Sequence, residues 1–88
     1  FRHKQWGKNR IKQELKQRDI GDYLIKKAFT EIPESEYRNT FDELAQKRFD
    51  QLTFERDKYK KRKKLADYLF YRGWPGAWIY EKAKELIP

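Results

Sequence analysis

No cysteine, methionine or valine occurs among the 88 residues, and serine and histidine occur once each, as Ser35 and His3. Without cysteine there are no disulfides and no thiolate metal sites, which fits a reducing, cytoplasmic setting. The absence of valine, and of any alternating apolar–polar run, removes the usual support for strands. The four glycines, Gly7, Gly21, Gly73 and Gly76, are not spaced as a phosphate-binding loop. No metal-ligand spacing is present. Neighbouring carboxylates such as Glu34 and Glu36, or Asp42 and Glu43, fall at a helix start or on solvated helix. No enzyme is therefore expected, and no catalytic residue, metal or cofactor. No apolar run reaches the roughly 18 residues a membrane span needs, and no signal peptide is visible, so no membrane partner is expected. A chain that opens on Phe1 without an initiator methionine reads as a fragment or a processed product.

What the chain has is charge and rings. Charged residues make up 41%, aromatic residues 17%, and the formal net charge is +8. Disordered chains are poor in aromatics, so this is a small folded domain with a ring-rich core. The excess of positive charge favours polyanionic partners: nucleic acid, acidic protein surfaces or anionic lipid. Its distribution is uneven: residues 1–32 carry a net +5, residues 33–54 a net −2 and residues 55–88 a net +5.

Helical spacing runs through the whole chain. Ile11 and Leu15 share a face on a helix over about 8–18. Leu24, Ile25, Ala28, Phe29 and Ile32 make a second stripe, stopped by Pro33. A long helix is expected over about 35–54, with Ser35 as its N-cap and Glu34 and Glu36 at the positive end of its dipole. Its stripe is Tyr37, Phe41, Leu44, Ala45, Phe49 and Leu52. A fourth helix is expected from about Glu55 to Tyr71, with Tyr59, Ala66, Leu69 and Phe70 facing inward. The boundary near Thr53–Glu55 carries neither glycine nor proline.

"YRGWPGAWIYEKA", Tyr71–Ala83, reads as a turn between two helices whose rings belong to the core. Gly73 stands where a helix end takes a left-handed residue. Trp74 packs back on the last turn, and Pro75 pre-sets φ for the next helix. Trp78, Ile79, Ala83, Leu86 and Ile87 form that helix's apolar face. The chain also resembles itself: Arg10–Ile32 lies over Lys64–Leu86. Ile11 then meets Leu65, Leu15 meets Leu69, Arg18 meets Arg72, Ile20 meets Trp74 and Ile25 meets Ile79. Asp19 takes the place of Gly73, and aspartate tolerates the left-handed conformation better than most residues. Such a repeat signals stacked helical units. The fold expected is all-α, about five helices in tandem three-helix repeats. Residues 1–33 are the last two helices of one repeat, and residues 34–88 are a complete one.

Six of the seven residues in "KYKKRKK" are basic: Lys58, Lys60, Lys61, Arg62, Lys63 and Lys64. Lys60, Lys61 and Lys64 project together, and such crowding is relieved by an anion, whether phosphate or an acidic protein groove. Lys8, Lys12 and Lys16 form an i, i+4, i+8 stripe, which with Arg2, Lys4 and Arg10 gives a second basic set. Arg18 and Arg72 sit just before the two turns, where a cation also complements the helix dipole. Trp6 with Gly7 precedes the first helix and reads as a hydrophobic staple onto Ile11 or a docking contact.

The pattern basic–Ile–x–x–x–Leu–x–x–(Arg/Lys)–(Gly/Asp)–Ile, then a short turn and a helix with Ile and Ala, resembles the repeats of the regulatory protein RecX family. "WGKNRIKQELKQRDIGDYLIKKAF" is similar to the last two helices of its second repeat. "LADYLFYRGWPGAWIYEKAKEL" is similar to the end of its third, where an Arg-Gly-aromatic turn is usual. Asp19 departs from the family's glycine, and Pro75-Gly76 from a polar N-cap. The resemblance implies a modulator of the RecA recombinase that docks in the groove of the RecA–DNA filament and dampens its activity. It implies the filament as main partner, single- or double-stranded DNA as a weaker one, and a monomer. The alternative from charge alone is a basic helix-turn-helix that binds DNA directly. Against that, the helix after the Gly73–Gly76 turn is apolar and balances two lysines with two glutamates, a poor set for reading base edges.

Overall fold

The computed structural model describes residues 5–88, so Arg2, His3 and Lys4 lie outside the described residues. Five helices and no strand are found there: α1 (Lys8–Gln17), α2 (Asp22–Thr30), α3 (Glu34–Gln51), α4 (Lys58–Tyr71) and α5 (Gly76–Leu86). The molecule is elongated, 44 × 25 × 22 Å. α3 packs across both α4 and α5, while α1 pairs with α2.

The core lies where α3, α4 and α5 meet. Tyr37, Phe41, Leu44 and Ala45 of α3 meet Leu65 and Leu69 of α4 and Ile79 and Ala83 of α5, all buried. Trp74 plugs the centre. Its ring centroid lies 4.7 Å from that of Tyr37 and 5.4 Å from that of Phe41. Trp78 leans on the same two rings, each at 5.4 Å. Tilted ring pairs at these separations suit the aromatic quadrupole. Trp74 of the α4–α5 turn is thus core and Trp78 of α5 packs against it, but Tyr71 and Tyr80 face solvent.

The two turns share one geometry. Asp19 has φ 60° and Gly73 φ 85°. The next residue's N–H returns to the last helical turn in each case, Ile20 to the Leu15 carbonyl at 3.1 Å and Trp74 to the Leu69 carbonyl at 3.2 Å. This is the hydrogen bond of a helix end closed by a left-handed residue. The internal repeat therefore maps one helix–turn–helix onto another at the level of individual hydrogen bonds.

Several local expectations are corrected. Ser35 is not a cap. Pro33 occupies the N-cap position in extended conformation, its carbonyl accepts the first helical bond from the Tyr37 N–H, and Ser35 is exposed inside the first turn. Proline's fixed φ supplies the bend that a serine side chain would otherwise stabilise. α3 stops at Gln51, short of the expected Phe54, because fully buried Leu52 turns the chain inward. α4 starts at Lys58 and not at Glu55: Asp57 caps it, its Oδ1 accepting from the N–H of Tyr59 at 2.9 Å and of Lys60 at 3.3 Å.

Tyr59 and Phe70 point outward, not inward. The seam of α4 is Leu65 and Leu69. At about 100° per residue, Tyr59 sits about 120° around the helix from Leu65, and Phe70 about 100° from Leu69. On α2 only Ile25 is buried; Leu24 and Ala28 are exposed, because α2 packs mainly on α1 through a narrow seam.

Lys82 is the one buried charge among the described residues, 8% exposed. Its ammonium sits 3.0 Å from a Glu85 carboxylate oxygen and 3.1 Å from one of Asp42. Burial disfavours the ammonium, but the bonds to Glu85 and Asp42 outweigh it and raise its pKa above the ordinary lysine value.

Candidate functional site

The site begins with how α1 is seated. A helix leaves its first N–H groups without intrahelical partners. Here the far end of α4 and a tyrosine of α3 supply them. The Gly7 N–H donates to the Arg72 carbonyl at 2.7 Å and the Asn9 N–H to the Gly73 carbonyl at 3.1 Å. The Lys8 N–H donates to the Tyr37 hydroxyl at 2.8 Å. Burial raises the pKa of that hydroxyl, and the Lys8 N–H partly offsets the rise. The Trp74 indole N–H closes the junction on the Gln5 carbonyl at 3.1 Å. α1 is thus stacked end-on against the α4–α5 turn, which fixes one basic helix relative to the other.

Both glycines at the junction are required by space. A Cβ on Gly7 would lie 2.2 Å from the Gly73 carbonyl oxygen, and a Cβ on Gly73 would lie 2.2 Å from the Arg10 nitrogen. The arginine–glycine–aromatic turn therefore has a second job beyond closing α4: it seats the start of α1.

The side chains expected to bind a partner divide into two groups. Some are held within the molecule. The Arg10 guanidinium is sandwiched between Trp6 at 5.1 Å and Tyr71 at 5.0 Å. Trp6 is therefore engaged by Arg10 within the molecule. Lys8 lies over the Tyr37 ring at 4.7 Å, and Arg72 over Tyr68 at 5.0 Å. The Arg62 Nε donates to the Ile87 carbonyl at 2.6 Å and so caps α5. Lys61 lies over Phe49 at 4.3 Å. Lys63 pairs with Asp67 at 3.2 Å and Lys64 with Glu55 at 2.7 Å. The Lys64 hydrogen bond, followed by the Asp57 N–H, pulls the Glu55 carboxyl below the ordinary glutamate value.

Others project into solvent. Lys58, Lys60 and Lys12 are exposed and make no ion pair among the described residues. Lys16 is exposed and reaches Asp22 only at 3.7 Å. Lys60 and Lys64 share a face as expected, while Lys61 turns away to cover Phe49.

Two features escaped the sequence reading. Lys26 of α2 joins Lys12 across a cleft also lined by Asp22, Ile25 and Phe29. The internal repeat carried that information: it places Lys12 over Ala66 and Lys26 over Tyr80, which line the corresponding α4–α5 groove. The second is Phe54, whose ring is 69% exposed beneath the Lys64 ammonium at 4.9 Å. It sits in the boundary segment that no glycine or proline marked.

The described residues form an all-helical body in which two helix–turn–helix units, α1–α2 and α4–α5, are joined end to end. Residues 1–28 match the family model of RecX, second three-helix domain. The match spans α1 and most of α2, the segment whose residues resemble that repeat, and makes the likeness to the RecX family a finding. No curated protein and no solved structure matches the chain. No helix among the described residues is long and apolar enough to cross a membrane.

Proposed function

We propose that this protein is a RecX-like modulator that docks on the RecA–DNA filament and restrains RecA activity. The match of residues 1–28 to the second three-helix domain of RecX carries the reading. In it, residues 1–33 supply the last two helices of one three-helix repeat and residues 34–88 a complete second repeat. The end-on junction through Gly7 and Gly73 holds the two units as one body, so the basic faces of α1 and α4 meet a filament groove together. The work is steric and electrostatic rather than enzymatic: Lys58, Lys60, Lys12 and Lys16 contact acidic side chains or phosphates. Lys61, Arg62 and Arg10 keep the helices that carry those lysines in place.

The test is the ATP hydrolysis of RecA on single-stranded DNA as this chain is added. Hydrolysis falls with the wild-type chain and is spared by the Lys58→Glu/Lys60→Glu variant. Equal inhibition by the two chains would remove the α4 lysines from the site, and no inhibition by either would reject the reading.

A further inference from the structure

The groove between α4 and α5 is lined by residues of these two helices alone, with Ala66 and Ala83 in it beside Phe70 and Tyr80. Its volume is about 680 Å³, within the roughly 300–1,000 Å³ of pockets that hold small ligands. The corresponding cleft between α1 and α2 is smaller, about 440 Å³. The internal repeat gives the reason. Phe29 lines the first cleft where Ala83 lines the second, so a ring takes up space that the alanine leaves open. Lys12, Lys16 and Lys26 stand where the second unit has Ala66, Phe70 and Tyr80. A helix–turn–helix of this geometry thus closes with three lysines at those positions, and the fold does not require an alanine and two rings there.

Neither ring belongs to the core. Phe70 is 43% and Tyr80 65% exposed, and they meet each other edge to face at 5.8 Å. The groove is also polarised. Phe70 and Tyr80 lie toward the turn, while Arg62 and Lys84 lie at the other end, with Arg62 about 12 Å from Phe70 at 1.5 Å per helical residue. The Arg62 Nε donates to the Ile87 carbonyl, which leaves its two Nη groups. Lys84 is exposed and makes no ion pair among the described residues. Lys63 and Asp67 neutralise each other at 3.2 Å. Two cations then face one acid, Glu81, an excess of a single positive charge.

We propose that the α4–α5 groove binds a small amphiphilic anion: an aromatic body over Ala66 and Ala83, against Phe70 and Tyr80, with one carboxylate or sulfonate at Arg62 and Lys84. An inorganic anion matches the cations and leaves the apolar floor idle; a neutral hydrocarbon does the reverse. The site uses none of the lysines assigned to the filament, so it stands or falls separately from that reading.

The probe is anilinonaphthalene sulfonate, its fluorescence titrated with the whole chain. The comparisons are phenylnaphthylamine, the same aromatic body without the sulfonate, and inorganic sulfate as competitor. The sulfonate binds about tenfold more tightly than the neutral amine, the difference a charge-assisted contact makes. Equimolar sulfate does not displace it. Phe70→Lys/Tyr80→Lys, which installs the residues of the first unit, lowers affinity about tenfold although it adds two positive charges. Both rings are exposed, so helicity by circular dichroism is unchanged. Lys84→Gln weakens the sulfonate and leaves the amine unaffected. Backbone amide shifts on adding the sulfonate to the wild-type chain centre on Ala66, Phe70, Tyr80 and Lys84. The proposal is overturned if the amine binds as tightly as the sulfonate, if sulfate displaces the dye, or if the lysine pair keeps full affinity. It is overturned equally if Lys84→Gln changes nothing, if the shifts centre on another face, or if the wild-type chain does not bind the dye.

Discussion

Gly7 and Gly73, near opposite ends of the chain, meet backbone to backbone: the Gly7 N–H donates to the carbonyl just before Gly73, and a Cβ on either glycine would strike the other segment at 2.2 Å. A single contact thus ends α4, starts α1 and sets the spacing of the two basic helices. Gly73 is doubly constrained, because its φ of 85° lies in the left-handed region.

Gly73→Ala is expected to cost at least about 2 kcal/mol, since left-handed backbone alone costs an alanine roughly 1–2 kcal/mol before the overlap with Arg10 is counted. Gly7→Ala is expected to free α1 while α3, α4 and α5 keep their packing. Gly21→Ala is the control: nothing lies within 4 Å of its Cβ, and the change should stay within about 1 kcal/mol. Urea denaturation gives the stabilities, and hydrogen exchange at the Gly7 and Asn9 amides shows whether α1 has come loose.

Asp57 replaces the missing glycine or proline at the start of α4. Asp57→Ala is expected to lower stability by about 1 kcal/mol, and Asp57→Asn by less, because asparagine still accepts from the Tyr59 and Lys60 amides. The urea midpoint reports both. The alanine variant should also loosen the segment bearing Phe54.

Much of the fold is readable from spacing. Ile11 with Leu15 marks a helix that recurs in the second copy as Leu65 with Leu69, and the alignment of Asp19 with Gly73 marks both left-handed turns. Periodicity fails where a helix has only one packed side. On α4 the spacing turns Tyr59, Ala66, Leu69 and Phe70 inward; Leu65 and Leu69 are buried and Ala66 packs against them, but α3 and α5 leave Tyr59 and Phe70 outside. The charge run is equally legible, yet its division is not. That Arg62 caps the Ile87 carbonyl and Lys61 covers Phe49 depends on tertiary partners distant in the sequence. The end-on seating of α1 on the α4–α5 turn likewise joins segments that no local pattern connects.

Charge reversals should therefore differ along one helix. Lys64→Glu places a carboxylate against Glu55 and is expected to destabilise the α4 start. Lys60→Glu, exposed and without an ion pair among the described residues, is expected to leave the melting temperature within about 4 °C of wild type, as surface substitutions usually lie within about 0.5 kcal/mol. Thermal melts of the two single variants separate a structural lysine from one available to a partner.

Alkali should unfold the protein through Lys82 and Tyr37. Both have folded-state values raised above the ordinary 10.5 and 10.0. The stabilisation each provides is complete below the unfolded value and is lost as pH rises through the folded one. Stability is expected to fall above about pH 10, and Lys82→Met should reduce the steepness of that fall. On the acid side Glu55 behaves oppositely: its value is lowered, so its contribution is present above the ordinary glutamate pKa of 4.5 and fades as pH drops through the folded value. Denaturation midpoints across pH, with Glu55→Gln beside Lys82→Met, test both signs.

The central claim is that these helices form a surface for a RecA filament. The direct measurement is the affinity of the whole chain for RecA filaments assembled on single-stranded DNA, set against the same DNA bare, at one fixed salt concentration. The expected result is binding to both, with the filament favoured by about tenfold or more, a difference of about 1.4 kcal/mol. Equal or tighter binding to the bare strand would contradict the claim and leave a single-strand binding module in place of a filament regulator.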